Sequence, residues 1–224
     1  QLNLALACHA CFQWLLPVTE QFSQQFPNLK IEFVEQFFST QFESQKTKID
    51  ILFTDEKIAN DGFTYHALGE FEVVAVLAKE SETKGNNHSL ADKEFLTPSD
   101  FSQQVLLTYP VKAEQLDIFK LFLNKASNTE KNYQPKAIKQ VANSHMILQM
   151  VAANMGIATL PNWLVNSLSK QALVQTKRIG EKGIFKTLYA RFQTDTVNLD
   201  IIEQLIPQAV AAFDALYHTV AIEK

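Results

Sequence analysis

Two cysteines and a histidine lie within four positions near the start of the chain: Cys8, His9 and Cys11. Thiolates and imidazoles are ligands that zinc prefers. Two cysteines three positions apart at a helix N-terminus also suit redox chemistry, because the helix lowers the pKa of a thiol there. A third interpretation is structural, with small and weakly polar residues shaping a turn and a pocket wall. The chain has no further cysteine, which favours the structural interpretation and leaves the other two open.

Other candidate residues directly follow short apolar runs that predict strands. They are Phe37, Phe38, Asp55, Thr108, Tyr109, Asn143, Ser144 and Pro161. In parallel α/β sheets, ligands bind beyond the carboxyl ends of the strands, where helix N-termini present unpaired N–H groups and partial positive charge. These residues therefore predict a pocket for a small anionic or zwitterionic molecule.

Catalytic motifs are absent from the sequence. With only six glycines, it contains neither a glycine-rich phosphate loop nor a Gly-x-Ser-x-Gly elbow, and no His-Glu-x-x-His motif. The formal net charge of −4 argues against nucleic-acid binding through the overall charge of the chain. The longest apolar runs are far too short to span a membrane. We therefore expect a non-enzymatic protein without a cofactor or a membrane contact.

The elements that position the first candidates follow from apolar spacing. Leu2–Ala7 predicts a buried strand, and Phe12–Phe26 carries apolar residues at helical spacing. Pro17 fits best in the first turn of that helix. Leu29–Phe33 and Ile49–Phe53 predict two more strands, with a short polar helix between them. This β-α-β-α-β order predicts a mostly parallel sheet with right-handed crossovers.

A second unit of similar layout follows about a hundred residues later. It begins after one or two longer strands in Tyr65–Ala78, continues with a strand at Val105–Tyr109, and has a helix that ends at Gly156. The last helix follows Asn198, which is a suitable N-cap. Because the apolar pattern begins at residue 2, we expect the chain to be a fragment that was cut or processed at a domain boundary.

Several segments resemble the effector-binding domain of LysR-type transcriptional regulators. The generic matches are Leu96-Thr97-Pro98-Ser99-Asp100-Phe101 and Gly156-Ile157-Ala158-Thr159-Leu160-Pro161. More specific segments resemble the regulators of methionine biosynthesis within that family: Cys8-His9-Ala10-Cys11-Phe12-Gln13-Trp14-Leu15, Leu107-Thr108-Tyr109-Pro110-Val111 and Leu160-Pro161-Asn162-Trp163. The resemblance covers nearly the whole chain.

The resemblance implies an α/β fold of two Rossmann-like subdomains, of the type II periplasmic-binding-protein kind, joined by two crossover strands. Subdomain I would comprise residues 1–77 plus 186–224, and subdomain II residues 78–185. Homocysteine would bind as co-inducer in the cleft between them. The resemblance also implies a cytoplasmic protein that acts as a homodimer or homotetramer. It would contact DNA only through an N-terminal winged helix-turn-helix that this chain lacks.

If homocysteine is the ligand, its three functional groups can be assigned to the candidate residues. We expect its carboxylate at the helix N-termini near Cys8–Cys11 and Asn143–Ser144, with hydrogen bonds from Thr108 and Tyr109. Asp55 is the candidate partner of the ammonium group. The thiol would meet Phe37, Phe38 and the cysteines, since sulfur–aromatic contact is modestly favourable.

Two alternatives remain open at the level of the sequence. A periplasmic solute-binding protein for a small amino acid or anion has the same fold and the same cleft. A thiol or metal enzyme would use Cys8, His9 and Cys11. A helix-turn-helix upstream of this chain would favour the regulator, and a signal peptide would favour transport.

Overall fold

The structure is a computed structural model that describes residues 1–7, 11–34, 48–58, 62–79, 88–127, 133–168 and 173–218. The chain divides into two compact units, residues 1–70 with 186–224 and residues 71–185. The sequence-based prediction puts the first crossing between units after residue 77, and the contacts put it after residue 70.

Strands and helices alternate along much of the chain. The strands are β1 (Leu2–Leu6), β2 (Ile31–Val34), β3 (Ile51–Thr54), β4 (Phe63–Ala78), β5 (Phe95–Leu96), β6 (Val105–Thr108), β7 (Ala137–Gln140), β8 (Ile157–Pro161), β9 (Val174–Ile179) and β10 (Ile184–Gln193). The helices are α1 (Phe12–Gln25), α2 (His88–Ala91), α3 (Pro98–Ser102), α4 (Asn124–Ser127), α5 (Ser144–Ala152), α6 (Asn162–Leu168) and α7 (Leu199–His218), with a 3₁₀ turn at Ala113–Gln115 and a π-helical segment at Ile118–Leu123. None of the described helices is long and apolar enough to cross a bilayer.

The first unit is built on a mixed sheet whose strands lie in the order β2-β1-β3-β10-β4. Strand β1 is parallel to both of its neighbours, so that Leu4 lies opposite Phe33 on one side and Ile51 on the other. Strand β10 returns antiparallel to β3. The predicted parallel pairing of β1, β2 and β3 is therefore present, with α1 between β1 and β2. The short polar helix predicted between β2 and β3 lies outside the described residues.

Aromatic side chains form much of the core of the first unit. Trp14 on α1 packs edge-on against Phe53 of β3 and Phe213 of α7, with ring centroids 6.1 and 5.5 Å apart. All three side chains are buried. Such edge-to-face pairs add to the free energy gained by burying apolar area. The two helices are thereby fixed on the sheet.

The second unit has β6 at the centre of a parallel group, with β7 on one side and β8 on the other. Strand β4 runs antiparallel to β8 and to β9, and β9 pairs in parallel with β5. Its core contains Phe101, Leu106, Leu107, Ile118 and Val151, all nearly inaccessible to solvent. The carboxyl ends of β6, β7 and β8 lie at one edge of this sheet.

The predicted position of Pro17 was wrong. Helix α1 begins at Phe12, so Pro17 lies in its second turn. A proline there cannot donate a hydrogen bond to the carbonyl four residues before it. The buried face formed by Trp14, Leu15 and Val18 continues past the proline, and burial of that face outweighs the lost bond.

The predicted end of the second unit's long helix was also misplaced. Helix α5 ends at Ala152, and Asn154 takes the left-handed conformation with φ 56°. The Met155 N–H donates to the Met150 carbonyl at 3.0 Å, which closes the helix end before Gly156 is reached. Gly156 serves strand packing instead, because a Cβ there would lie 2.5 Å from the Val105 carbonyl oxygen.

Candidate functional site

The carboxyl ends of β1 and β3 lie side by side in the first unit. The Ala7 N–H donates to the Phe53 carbonyl at 2.9 Å, directly after β1 ends and just before β3 ends. The segment after β1 leads into α1, whose N-cap residue is Cys11. The residues that follow the two strands therefore start at the same edge, as the sequence predicts for a ligand site.

Asp55, the predicted partner of a ligand ammonium group, already has a cationic partner in the structure. Its Oδ2 lies 2.6 Å from the Nζ of Lys186 on β10. The side chain of Lys186 is 11% exposed and that of Asp55 is 26% exposed. Nearby, the Thr54 hydroxyl accepts a hydrogen bond from the Glu56 N–H at 3.1 Å and orders the turn after β3.

Sequence reasoning missed Lys186. A signal was available, because Lys186 shares the period-two face of β10 with Leu188 and Ala190, which are both buried. A lysine at an inward position of a strand needs an acidic partner. The partner comes from a distant part of the chain, and the local pattern does not identify it.

Burial of the cation distinguishes this pair from other ion pairs among the described residues. In those pairs the cationic side chain is 40–68% exposed; they are Lys30–Glu32, Lys48–Asp50, Lys93–Asp100 and Arg178–Glu72. The Lys93–Asp100 pair has the same 2.6 Å separation as Lys186–Asp55. Burial opposes ionisation of Asp100, but hydrogen bonds from Lys93 and Thr97 lower its pKa overall.

Cys11 is the one residue of the Cys-His-x-Cys segment that the structure describes. It is fully buried and forms no disulfide. Its side chain makes no capping hydrogen bond to α1. Cys8 and His9 lie outside the described residues, as do Phe37 and Phe38. Among the residues that the structure does describe, no group of three or more His, Cys, Asp or Glu side chains forms a metal-binding cluster.

In the second unit, four predicted residues come together at the carboxyl end of β6. The Tyr109 and Ser144 hydroxyls are hydrogen-bonded at 2.6 Å, which joins the end of β6 to the first turn of α5. The Thr108 hydroxyl donates to the Tyr109 carbonyl at 3.1 Å. Asn143 caps α5, because its Oδ1 accepts a hydrogen bond from the Met146 N–H at 3.0 Å.

Pro161 ends β8 at the same edge of the second unit's sheet. Strand β8 is parallel to β6, so its carboxyl end lies on the same side as Thr108. Helix α6 begins at the next residue, where the Asn162 side chain accepts a hydrogen bond from the Trp163 N–H at 2.9 Å. The side chains of Asn143 and Ser144 already have partners, so a ligand there would share or replace these hydrogen bonds.

A groove of about 670 Å³ lies between β4 and α7 in the first unit. Its apolar lining includes Leu68, Phe192 and Ile206, with Glu203 and Asp214 among its charged residues. Of the predicted ligand residues that the structure describes, none lines this groove. On the same unit, burial lowers the pKa of the Arg191 guanidinium, which stacks 3.7 Å from the Phe63 ring centroid.

The family of the chain follows from comparison with known proteins. The model of the LysR substrate binding domain matches residues 1–213. The chain belongs to this family, and the predicted fold class, two α/β subdomains of the type II periplasmic-binding-protein kind, is confirmed.

The relatives narrow the comparison further. The chain is 38% identical to the HTH-type transcriptional regulator MetR of Buchnera aphidicola subsp. Schizaphis graminum, over 92% of this chain and 62% of the relative. It is 35% identical to MetR of Escherichia coli K12, over 93% of this chain and 62% of the relative. The solved regulatory domain of MetR from N. meningitidis is 26% identical with a TM-score of 0.78, covering 96% of this chain and 94% of that one. The chain thus spans about three fifths of the curated regulators and nearly all of the solved regulatory domain.

Proposed function

We propose that this chain is the effector-sensing part of a LysR-type transcriptional regulator of methionine biosynthesis. The observation that carries the proposal is the identity of 35–38% to two MetR regulators over more than nine tenths of the chain. The role is non-catalytic, in the cytoplasm. The chain spans 62% of those relatives, and we assign DNA binding to a helix-turn-helix in the remaining part of the full regulator.

We further propose that the effector is homocysteine or a similar small amino acid. Polar side chains collect at the carboxyl ends of parallel strands, with Asp55 in the first unit and the Tyr109–Ser144 pair in the second. This is where ligands bind in α/β sheets. An amino acid brings both an anionic and a cationic group, which suits hydroxyls, helix N-termini and a carboxylate.

The effector acts by its difference in affinity for two conformations of the domain. A ligand that binds both equally well shifts nothing, however tightly it binds. Allosteric coupling in proteins typically amounts to about 1–3 kcal/mol. We expect homocysteine to change operator affinity of the full regulator by a corresponding factor of roughly 5–150.

A second copy of the chain is the proposed protein partner. On α1 the side chains of Phe12 and Leu16 are 43% and 45% exposed. Large apolar residues on one helix face favour a contact with another protein surface. We propose that α1 of one copy packs on a second-unit helix of the other, in a homodimer or homotetramer.

Calorimetric titration of the purified chain with L-homocysteine tests the effector. We expect saturable heat and a thermal shift, since a ligand at a hundred times its Kd stabilises the folded state by about 2.7 kcal/mol. Glycine serves as the control for non-specific amino-acid effects. No heat and no thermal shift at millimolar homocysteine would contradict the proposed effector and leave the family assignment untouched.

A further inference from the structure

The Lys186–Asp55 pair is poorly suited to a purely stabilising role. Lys186 Nζ lies 2.6 Å from the Asp55 carboxylate, and its side chain is only 11% exposed. Removing an ammonium group from water costs several kcal/mol, and an ion pair repays this cost only when its geometry is good and further hydrogen bonds satisfy the charged groups. Replacing such buried pairs with apolar residues of similar volume is often neutral or stabilising. Burial of Lys186 in this pair is therefore weak evidence for a stabilising role, and the pair is a candidate for a further one.

The location of the pair indicates that role. Asp55 directly follows β3, at the edge where β1 and β3 end and where α1 begins. Lys186 reaches the same point from β10, which is antiparallel to β3. Asp55 is the more exposed of the two. The pair therefore places a carboxylate and a largely buried ammonium group beside each other at the edge where β1 and β3 end.

We propose that Asp55 and Lys186 together recognise the zwitterionic head of an α-amino acid. Asp55 binds the ammonium group of the ligand, and Lys186 binds its α-carboxylate. The inference rests on the proposed function and deepens it. It adds a residue for the carboxylate and defines the ligand class as α-amino acids with both charged groups free.

Charge pairing explains why a zwitterion suits this site. The ammonium and carboxylate groups of an α-amino acid are attached to the same carbon. The ammonium group can therefore lie against Asp55 while the carboxylate lies against Lys186. A simple carboxylate would bring its charge next to Asp55, and a simple amine would bring its charge next to Lys186. In a poorly solvated site an unmatched charge is costly. The pair therefore discriminates against ligands that carry only one of the two groups.

This assignment moves the ligand carboxylate from the place that the sequence predicts. Asn143 already caps α5 through the Met146 N–H, and the Ser144 hydroxyl is bonded to Tyr109. A ligand carboxylate would share existing contacts at either place, because Lys186 is already paired with Asp55. Lys186 differs in offering a full positive charge with little solvent around it, and charge-assisted hydrogen bonds are roughly twice as strong as neutral ones.

The test uses three ligands and one matched control variant. L-homocysteine carries both charged groups, 4-sulfanylbutanoate lacks the ammonium group, and 3-aminopropane-1-thiol lacks the carboxylate. Lys186→Met removes the buried cation. Lys93→Met removes the cation of the Lys93–Asp100 pair, which has the same 2.6 Å separation but lies in the second unit. Affinities are measured by calorimetry on the full chain.

We expect Lys186→Met to weaken homocysteine binding at least tenfold and Lys93→Met to leave it within twofold of the unsubstituted chain. In the unsubstituted chain, 3-aminopropane-1-thiol, which lacks the carboxylate, should bind more weakly than homocysteine. In Lys186→Met the two ligands should bind with the same affinity. Lys186→Arg, which keeps the charge, should keep homocysteine binding within about tenfold of the original. If Lys186→Met does not fold, Asp55→Asn tests the other half, since it should remove the benefit of the ligand ammonium group only.

Two outcomes would overturn the inference, and they are distinguishable. In the first outcome, homocysteine binds the unsubstituted chain, but Lys186→Met or Asp55→Asn lowers the affinity for all three ligands equally. The pair then does not recognise the two charged groups of the ligand, and the proposed function stands. If homocysteine does not bind the unsubstituted chain at all, the proposed effector fails, and the inference fails with it.

Discussion

The hydrogen bond between Tyr109 and Ser144 joins the end of β6 to the start of α5. Removing it tests how much this bond stabilises the edge of the second unit's sheet, where the parallel strands end. The hydroxyls lie 2.6 Å apart. Ser144 is buried, whereas Tyr109 is half-buried. Tyr109→Phe deletes one hydroxyl and keeps the ring, and Ser144→Ala deletes the other.

The burial difference predicts unequal costs. In Tyr109→Phe the Ser144 hydroxyl loses this partner in a nearly solvent-free position, and such a loss costs about 1–3 kcal/mol. In Ser144→Ala the tyrosine hydroxyl can turn toward water, so the cost should be nearer the net value of a hydrogen bond, about 0.5–1.5 kcal/mol. The double variant should be less destabilised than the sum of the singles, because each single change already breaks the bond.

Urea unfolding at neutral pH measures all three variants and gives the coupling free energy. Thr64→Val is the control, because the Thr64 and Thr194 hydroxyls are hydrogen-bonded at 3.1 Å in an exposed position. We expect it to cost less than about 0.5 kcal/mol. A coupling indistinguishable from zero, or a Tyr109→Phe cost no larger than that of Thr64→Val, would refute the idea that this bond organises the edge.

Three further predictions concern the packing, the acid stability and the assembly of the chain. Gly156→Ala should lower the free energy of unfolding by roughly 1–3 kcal/mol, because a Cβ would lie 2.5 Å from the Val105 carbonyl oxygen; an unchanged urea midpoint would contradict this. The Asp100 pKa is lowered from 3.8, so its ionised form stabilises the fold above pH 3.8, and that contribution is lost as the pH falls through the lower folded-state pKa. Asp100→Asn should therefore destabilise the chain at pH 7, with the difference shrinking in urea titrations near pH 3, and a constant difference would disprove the linkage. Leu16→Glu should reduce the mass measured by light scattering to that of a monomer. Leu173→Glu is the control and should not change the mass, because it replaces a leucine that is 65% exposed and lies outside α1. Equal masses for both variants would exclude α1 as the contact.

Local chemistry let the sequence predict most strands and helices. Alternating residues such as Ile31 and Phe33 indicate a strand, and the apolar spacing around Trp14 and Phe22 indicates a helix, because each element must bury one face. Turn residues at strand ends then locate the candidate ligand edge, since ligands bind there in parallel sheets. The Thr108, Tyr109, Asn143 and Ser144 group was found in this way, and the family was predicted from the motifs around these positions.

Other features depend on contacts between residues that are distant in the chain. Asn154 closes α5 because the helix end forms its hydrogen bonds before Gly156 is reached. Pro17 is tolerated inside α1 because the buried face on either side of it holds the helix on the sheet. A local pattern records which residues favour an element but does not record how much tertiary packing stabilises it.

Only the tertiary structure brought Lys186 to Asp55. The pairing needs β10 to run antiparallel beside β3, with Tyr189 opposite Thr54, and that register is set by strand pairing across more than half of the chain. From the sequence alone, Asp55 was predicted to follow a strand, whereas the inward position of Lys186 on β10 was overlooked. Their meeting depends on the register of two strands, since a one-residue slip would turn the lysine to the opposite face of the sheet.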